Sequence, residues 1–114
     1  MSRRPFGESD GISVRELSEL RTAGSRHCVL DVREAGELAI CRLEGSLHIP
    51  MSDIPARIDE LPTDDPLVVI CHHGARSQMV VDFLRNTGFE NAVNLDGGIE
   101  AWAYEIDTSM PHYY

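Results

Sequence analysis

Four short apolar runs alternate along this chain with segments of helical periodicity. The runs are Cys28–Val32, Ser46–Pro50, Leu67–Ile70 and Ala92–Leu95. Their length and nearly continuous apolar character are typical of strands buried on both faces of a parallel sheet. Strands that alternate with helices at this spacing predict an α/β fold, in which helices cover both faces of a mainly parallel sheet.

The first helix has a clear start and stop in the sequence. Ser13 is placed to cap it, and Glu16 lies three residues later, where its side chain can return the bond. Ile12 is placed to pack on Leu17, and Gly24 is a natural stop. We therefore predict a helix that begins after Ser13 and ends at Gly24.

Four further helical segments are predicted, and the last of them is a short helix that follows Gly97 and Gly98 and runs through Trp102. A short one spans 34–40, and a second spans 52–60, with Pro55 near its first turn. The third begins around Ser77 and ends before Gly88. Its predicted buried face consists of Met79, Val80, Phe83 and Leu84.

The composition limits the size and class of the protein. Its 114 residues correspond to about one domain, and 42% hydrophobic with 25% charged residues is usual for a soluble globular protein. No apolar run approaches the ~20 residues needed to cross a bilayer. The chain has three cysteines, whereas a disulfide framework usually has a larger and even number. We therefore predict that the thiols stay reduced and that the protein lies in the cytoplasm. The net charge of −9 argues against a nucleic-acid surface.

The domain organisation is simple. We predict a flexible N-terminal segment at 1–10, one domain at 11–104 and a C-terminal tail at 105–114.

The run from Cys71 to Ser77 is the main candidate for a functional site. It follows the apolar strand at 67–70 and leads into a helix, which aims loop N–H groups and a helix N-terminus at one sulfur. Both features favour a thiolate and bind anions.

Gly74 lets the loop curl, and Arg76 adds a permanent charge with planar donors. This predicts a nucleophilic cysteine, although a buried structural cysteine is the alternative. Ligands bind at the carboxyl ends of parallel strands, which is where Cys71 falls.

Four motifs, in this order, resemble those of a rhodanese-like domain. They are 30–37 (LDVREAGE), 44–50 (EGSLHIP), 71–77 (CHHGARS) and 95–102 (LDGGIEAW). The resemblance runs from about Ile12 to Trp102, and the tail at 106–111 is similar to the end of some small bacterial rhodaneses. It implies a five-stranded, mainly parallel sheet with helices on both faces.

The resemblance also implies a function. In that family a loop cysteine takes a sulfane sulfur from a donor such as thiosulfate, holds it as a persulfide and passes it to an acceptor. By motif position Cys71 is the nucleophile, and substrate binding falls to the rest of the loop: His72, His73, Gly74, Ala75, Arg76 and Ser77. No metal or organic cofactor is implied. The implied partners are a small anionic sulfur donor and a sulfur-carrier protein or cysteine desulfurase.

The spacing from Cys71 to Arg76 separates this loop from that of related phosphatases. Four residues lie between the two here, whereas dual-specificity phosphatases have five and a wider cradle. The shorter loop favours a sulfur-centred group over a phosphoryl group. A cysteine-based phosphatase or arsenate reductase is therefore the disfavoured alternative, and a sulfur-relay module with weak thiosulfate turnover is the nearer one.

Several other residues have two interpretations. His72 and His73 either tune Cys71 or contact the acceptor, or they are solvent-facing loop residues. Asp31 and Arg33 are predicted to pair near the rim of the loop, in a structural role or in contact with substrate. Cys41 is either a resolving thiol or a bystander.

Overall fold

Five parallel strands form one sheet in the described part of the chain. The structure is a computed structural model that describes residues 10–113. The strands are β1 (Gly11–Ile12), β2 (Cys28–Asp31), β3 (Leu47–His48), β4 (Leu67–Ile70) and β5 (Ala92–Leu95). Their order across the sheet is β1-β5-β4-β2-β3. The predicted α/β class and the parallel sheet are confirmed.

Within residues 10–113, three α-helices and two 3-10 segments lie between strands, and a fourth α-helix follows the last strand. The helices are α1 (Val14–Ala23), α2 (Ala35–Leu38), α3 (Ala75–Asn86) and α4 (Gly98–Glu105). The 3-10 segments are Met51–Asp53 and Pro55–Glu60. The capping box at the start of α1 is formed by Ser13 and Glu16, and Gly24 ends the helix with a φ of +67°. The predicted bounds of α1 are confirmed.

Two apolar clusters pack on opposite faces of the sheet, because alternate residues of a strand point to opposite sides. In β4, Val68 and Ile70 join the cluster that contains α1 and α4, whereas Leu67 and Val69 join the cluster that contains α3. Helices therefore cover both faces, as predicted. Cys71 belongs to the α3 side.

The short strand β1 was not identified as a strand in the sequence. It has two residues, which is too short for a periodic pattern, and it forms by pairing Gly11 with Asn94 and Ile12 with Leu95. A Cβ at position 11 would overlap the carboxylate of Asp96. All but Asp10 of the predicted flexible segment 1–10 lies outside the described residues.

The segment predicted to be helical over 52–60 is helical, but it is neither continuous nor an α-helix. This stretch forms two 3-10 segments, and Arg57 has non-helical backbone angles within the second. Pro55 lacks a backbone N–H, so the helical hydrogen-bond ladder cannot continue through it from the preceding segment.

The predicted buried face of α3 is half correct. Val80 and Leu84 are buried, together with Val81, but Met79 is 63% exposed and Phe83 is 38% exposed. The helix begins at Ala75 rather than around Ser77. The helix packs on the sheet through Val80 and Val81. Met79 and Phe83 instead line an open groove of about 180 Å³, together with Met51, Ile54 and Pro55.

The residues after α4 return to the core. Met110 is 9% exposed and Tyr113 packs against the same cluster. None of the helices within residues 10–113 has the length and apolar character required to span a membrane.

Candidate active site

Cys71 lies directly after β4, the middle strand of the sheet, and at the foot of α3. It is 1% exposed. Gly74 precedes α3 with a φ of +109°, a left-handed conformation that turns the chain from the loop into the helix. The loop and the N-terminus of α3 therefore surround one sulfur atom.

Three groups contact that sulfur at hydrogen-bond distance. The backbone N–H of Gly74 lies 3.1 Å from Sγ, and the N–H of Ser77 lies 3.3 Å away. The hydroxyl oxygen of Ser77 is also 3.3 Å from Sγ. Backbone donors aimed at a sulfur, at the N-terminus of a 12-residue helix, stabilise negative charge on that atom.

The hydroxyl of Ser77 has a second partner, the side-chain oxygen of Asn94 on β5, at a short distance. The amide nitrogen of Asn94 donates to Asp96 over 3.1 Å, so its oxygen faces Ser77. A serine hydroxyl carries one proton and can donate only one such bond at a time. With a neutral thiol, that proton goes to Asn94 and the thiol donates to the hydroxyl oxygen. When Cys71 is a thiolate, the Ser77 hydroxyl can instead donate its hydrogen bond to the sulfur. Sequence reasoning missed Asn94, which reads as an ordinary strand residue.

The first turn of α4 holds the loop in place through two backbone hydrogen bonds. The N–H of Ile99 donates to the carbonyl of Cys71 over 2.9 Å, and the N–H of Glu100 donates to the carbonyl of His72 over 3.1 Å. Gly98 makes this approach possible, since its φ is +64° and a Cβ there would overlap the His72 carbonyl. The loop carbonyls are thus satisfied by α4, and loop N–H groups are left for the sulfur.

Replacing Gly98 by alanine is expected to destabilise the protein by about 2 kcal/mol or more, from the strained φ and the clash with the loop backbone. Urea unfolding measures the change. The matched control is Gly36→Ala in α2, where a Cβ meets nothing within 4 Å and φ is not positive. We expect that control to be neutral or slightly stabilising. Equal stabilities for the two variants would contradict the close approach of α4.

Arg76 lies in the first turn of α3, but its guanidinium is already paired. Its two terminal nitrogens donate to the carboxylate of Glu37 over 2.8 and 2.7 Å. The Tyr113 hydroxyl donates to the same carboxylate over 2.8 Å and accepts from Arg33 over 3.0 Å. The hydrogen bonds from Arg76 lower the pKa of Glu37 to about 2, so the pair is charged at neutral pH.

Sequence reasoning gave neither Glu37 nor Tyr113 a role in the site. Glu37 was noted only as part of a motif, and Tyr113 belongs to the tail. They are 76 residues apart. No local pattern signals such a contact, because it depends on how the chain end returns to the sheet.

His72 is buried, whereas His73 is exposed. The His72 ring lies between those of His73 and Tyr113, with centroid distances of 3.9 and 3.8 Å. Its Nε2 atom is buried without a hydrogen-bond partner and lies 3.7 Å from a carboxylate oxygen of Glu100. Burial, and then the charge of His73, lower the pKa of His72, which keeps the ring neutral at pH 7. The solvent-facing interpretation is therefore wrong for His72.

The predicted pair of Asp31 and Arg33 is present, and both side chains are 0% exposed. Arg33 donates to both carboxylate oxygens of Asp31, with a shortest distance of 2.7 Å, and to the carbonyl of Cys41 over 2.8 Å. His48 contacts the Arg33 carbonyl over 2.7 Å. These contacts tie the carboxyl ends of β2 and β3 together.

The three cysteines are free thiols. Cys41 is buried, Cys28 is half-buried, and burial raises the pKa of Cys28, which disfavours its thiolate. Within residues 10–113, His, Cys, Asp and Glu side chains form no group of three or more that could hold a metal ion.

The family model of the rhodanese-like domain matches residues 13–105. A protein named thiosulfate sulfurtransferase GlpE, from Stutzerimonas stutzeri, is 33% identical over 89% of this chain and 91% of its own. One named adenylyltransferase and sulfurtransferase MOCS3, from Arabidopsis thaliana, is 32% identical over 90% of this chain. The match covers only 25% of that longer protein.

Solved structures show the same architecture. The crystal structure of a rhodanese-related protein from Thermoplasma volcanium superposes with a TM-score of 0.77 and 38% identity. The superposition covers 84% of this chain and 92% of that one. Together with the family match over most of the chain, this shows that the protein belongs to the rhodanese-like domain family.

Proposed function

We propose that this protein is a sulfurtransferase that moves a sulfane sulfur through a persulfide on Cys71. The observation that carries the proposal is the set of three donors around the Cys71 sulfur, at the end of β4 and the start of α3. Membership of the rhodanese-like family supports sulfur as the transferred atom. The name of the Stutzerimonas stutzeri relative supports thiosulfate as one donor.

The reaction has two displacements. The Cys71 thiolate attacks the terminal sulfur of the donor, and the donor's S–S bond breaks. The rest of the donor leaves with the electron pair, as sulfite from thiosulfate or as a thiolate from a persulfide. A thiophilic acceptor such as cyanide, a thiol or a sulfur-carrier protein then takes the outer sulfur, and the electron pair returns to Cys71.

Most residues of the loop have a part in this proposal. The N–H groups of Gly74 and Ser77 hold the sulfur anion, first as a thiolate and then as a persulfide. The Arg76 guanidinium and the Glu37 carboxylate, which together we call the mouth of the site, form an ion pair, so an anionic donor that binds Arg76 competes with Glu37. The His72 ring is stacked between the rings of His73 and Tyr113, which fixes its position in the loop. Asp31 and Arg33 support the rim rather than contact substrate, since both are fully buried.

A sulfur-relay role with a protein partner is the second candidate. It is favoured by the Arabidopsis thaliana relative, in which the matching region is about a quarter of a protein that also bears the name of an adenylyltransferase. Such a module would take sulfur from a partner's persulfide, as on a cysteine desulfurase, and deliver it to a sulfur-carrier protein. We place the reaction in the cytoplasm, where thiols stay reduced.

Incubation with thiosulfate is expected to add one sulfur atom to the protein, as measured by intact mass. Peptide mapping should place it on Cys71, because only this cysteine has donors around its sulfur among the described residues. Cyanide should then remove the sulfur and release thiocyanate. Cys41→Ser is the control and should load normally. An added sulfur on Cys41, or none from either thiosulfate or a persulfide donor, would contradict the proposal.

A further inference from the structure

The positive charge at the mouth of the site is already matched by a carboxylate. Arg76 and Glu37 form two parallel hydrogen bonds, at 2.8 and 2.7 Å, and their side chains are only 35% and 20% exposed. Paired groups of this geometry hold each other firmly, because the fork of the guanidinium fits both carboxylate oxygens. An anionic donor that uses Arg76 must therefore compete with Glu37.

Glu37 is fixed in that position from two more directions. The backbone N–H of Glu34 donates to one carboxylate oxygen over 2.9 Å, and Tyr113 donates to the other over 2.8 Å. Tyr113 is itself held by Arg33 and by stacking on His72. Burial raises the pKa of Tyr113 to about 12, so its hydroxyl keeps the donated proton at neutral pH. The end of the chain thus holds the carboxylate against Arg76.

The other charges at the loop do not favour a dianion either. Glu100 lies 3.7 Å from His72, which is neutral at pH 7, and the chain carries a net charge of −9. The donors that face the sulfur are two backbone N–H groups and one hydroxyl, suited to a single charged sulfur atom. A bulky sulfonate attached to that sulfur would bring its own negative charge towards Glu37.

We propose that Glu37, held by Tyr113, is a specificity-determining residue that disfavours a small dianionic donor such as thiosulfate. It thereby favours a persulfide whose terminal sulfur bears the only charge. The inference rests on the proposed sulfurtransferase function and names its preferred donor class. With either donor, Cys71 attacks the outer sulfur and the S–S bond breaks. The leaving group, sulfite or a thiolate, takes the electron pair.

The test compares two donors, thiosulfate and the persulfide of 2-mercaptoethanol, with cyanide as acceptor. In Glu37→Gln the amide keeps the shape of the side chain but removes its charge. We expect the ratio of kcat/KM for thiosulfate to that for the persulfide to rise about fivefold, corresponding to about 1 kcal/mol for a partly exposed ion pair. The change should lie mainly in KM for thiosulfate, since charge repulsion acts on binding.

Two further variants make the comparison specific. Tyr113→Phe removes the hydroxyl that holds Glu37 and should shift the ratio in the same direction, by about twofold. Glu60→Gln is the matched control, because Glu60 forms an equally bidentate but exposed pair with Arg57, at 2.8 and 2.9 Å, within the 3-10 segment Pro55–Glu60. It removes the same charge from the chain and should leave the donor ratio unchanged.

The outcomes separate this inference from the function on which it rests. Transfer from neither donor in the wild-type protein would overturn both. Cys71-dependent transfer with an unchanged or lower donor ratio in Glu37→Gln would overturn the role of Glu37 alone. An equal rise in Glu60→Gln would assign the effect to net charge and also overturn it. If Glu37→Gln fails to fold, the donor ratio of Tyr113→Phe decides.

Discussion

The Cys71→Ser variant is expected to lose sulfur transfer by at least about 10³-fold with thiosulfate or a persulfide donor, as removal of a catalytic nucleophile does. An alcohol is far less acidic than a thiol, so the donors around the side chain cannot generate a nucleophile at neutral pH. Serine also cannot hold the transferred sulfur in a disulfide-type bond. The measurement is thiocyanate release from thiosulfate and cyanide, together with intact mass after donor treatment.

The controls for this variant come from the other two cysteines. Cys28→Ser and Cys41→Ser remove a thiol without touching the loop, and both should retain transfer within a few-fold. Cys71→Ser should unfold in urea close to the wild-type midpoint, because serine is similar in size and can accept hydrogen bonds from the same N–H groups. Turnover in Cys71→Ser that equals that of the wild type would remove Cys71 as the carrier.

The largest loss of stability is expected for Asp31→Asn, at about 3–5 kcal/mol, as for other buried pairs that lose one partner. Arg33 is 0% exposed, and Asp31 accepts three of its side-chain hydrogen bonds as well as its backbone N–H. The variant leaves the buried guanidinium without its countercharge. Urea unfolding at neutral pH gives the change in the free energy of unfolding.

An exposed ion pair in the same protein provides the matched control. Arg26 and Asp65 lie 3.3 Å apart, with side chains that are 87% and 32% exposed. Asp65→Asn should cost under about 1 kcal/mol, because water screens the pair. Equal losses of stability in Asp31→Asn and Asp65→Asn would show that burial does not make the Asp31–Arg33 pair more important than an exposed one.

Much of the candidate site was predictable from the sequence because its contacts are local. The Cys71 sulfur is contacted by Gly74 and Ser77, three and six residues along the chain. A buried strand, a tight loop and a helix N-terminus bring such neighbours together in any α/β fold. The same holds for the capping box of α1, in which both partners lie within one turn.

One strand that the sequence did not reveal and one misassigned helix face depended on distant partners. The strand β1 has two residues and forms only because β5 is there to pair with it. Met79 and Phe83 fit an apolar face of α3, but the face that became buried was set by how the helix lies on the sheet. A helical pattern gives the spacing of apolar residues, whereas packing selects the side that is covered.

The charge at the mouth of the site also depends on residues that are distant in the sequence. From the sequence alone, Arg76 is a cation placed beside a nucleophilic cysteine. In the folded chain its charge is matched by Glu37, 39 residues away, and that carboxylate is held by Tyr113, 76 residues further along. Local hydrogen bonds and the strand–loop–helix order place Cys71 and its donors. The electrostatics of the mouth depend on side chains that meet only when the sheet assembles and the chain end packs against it.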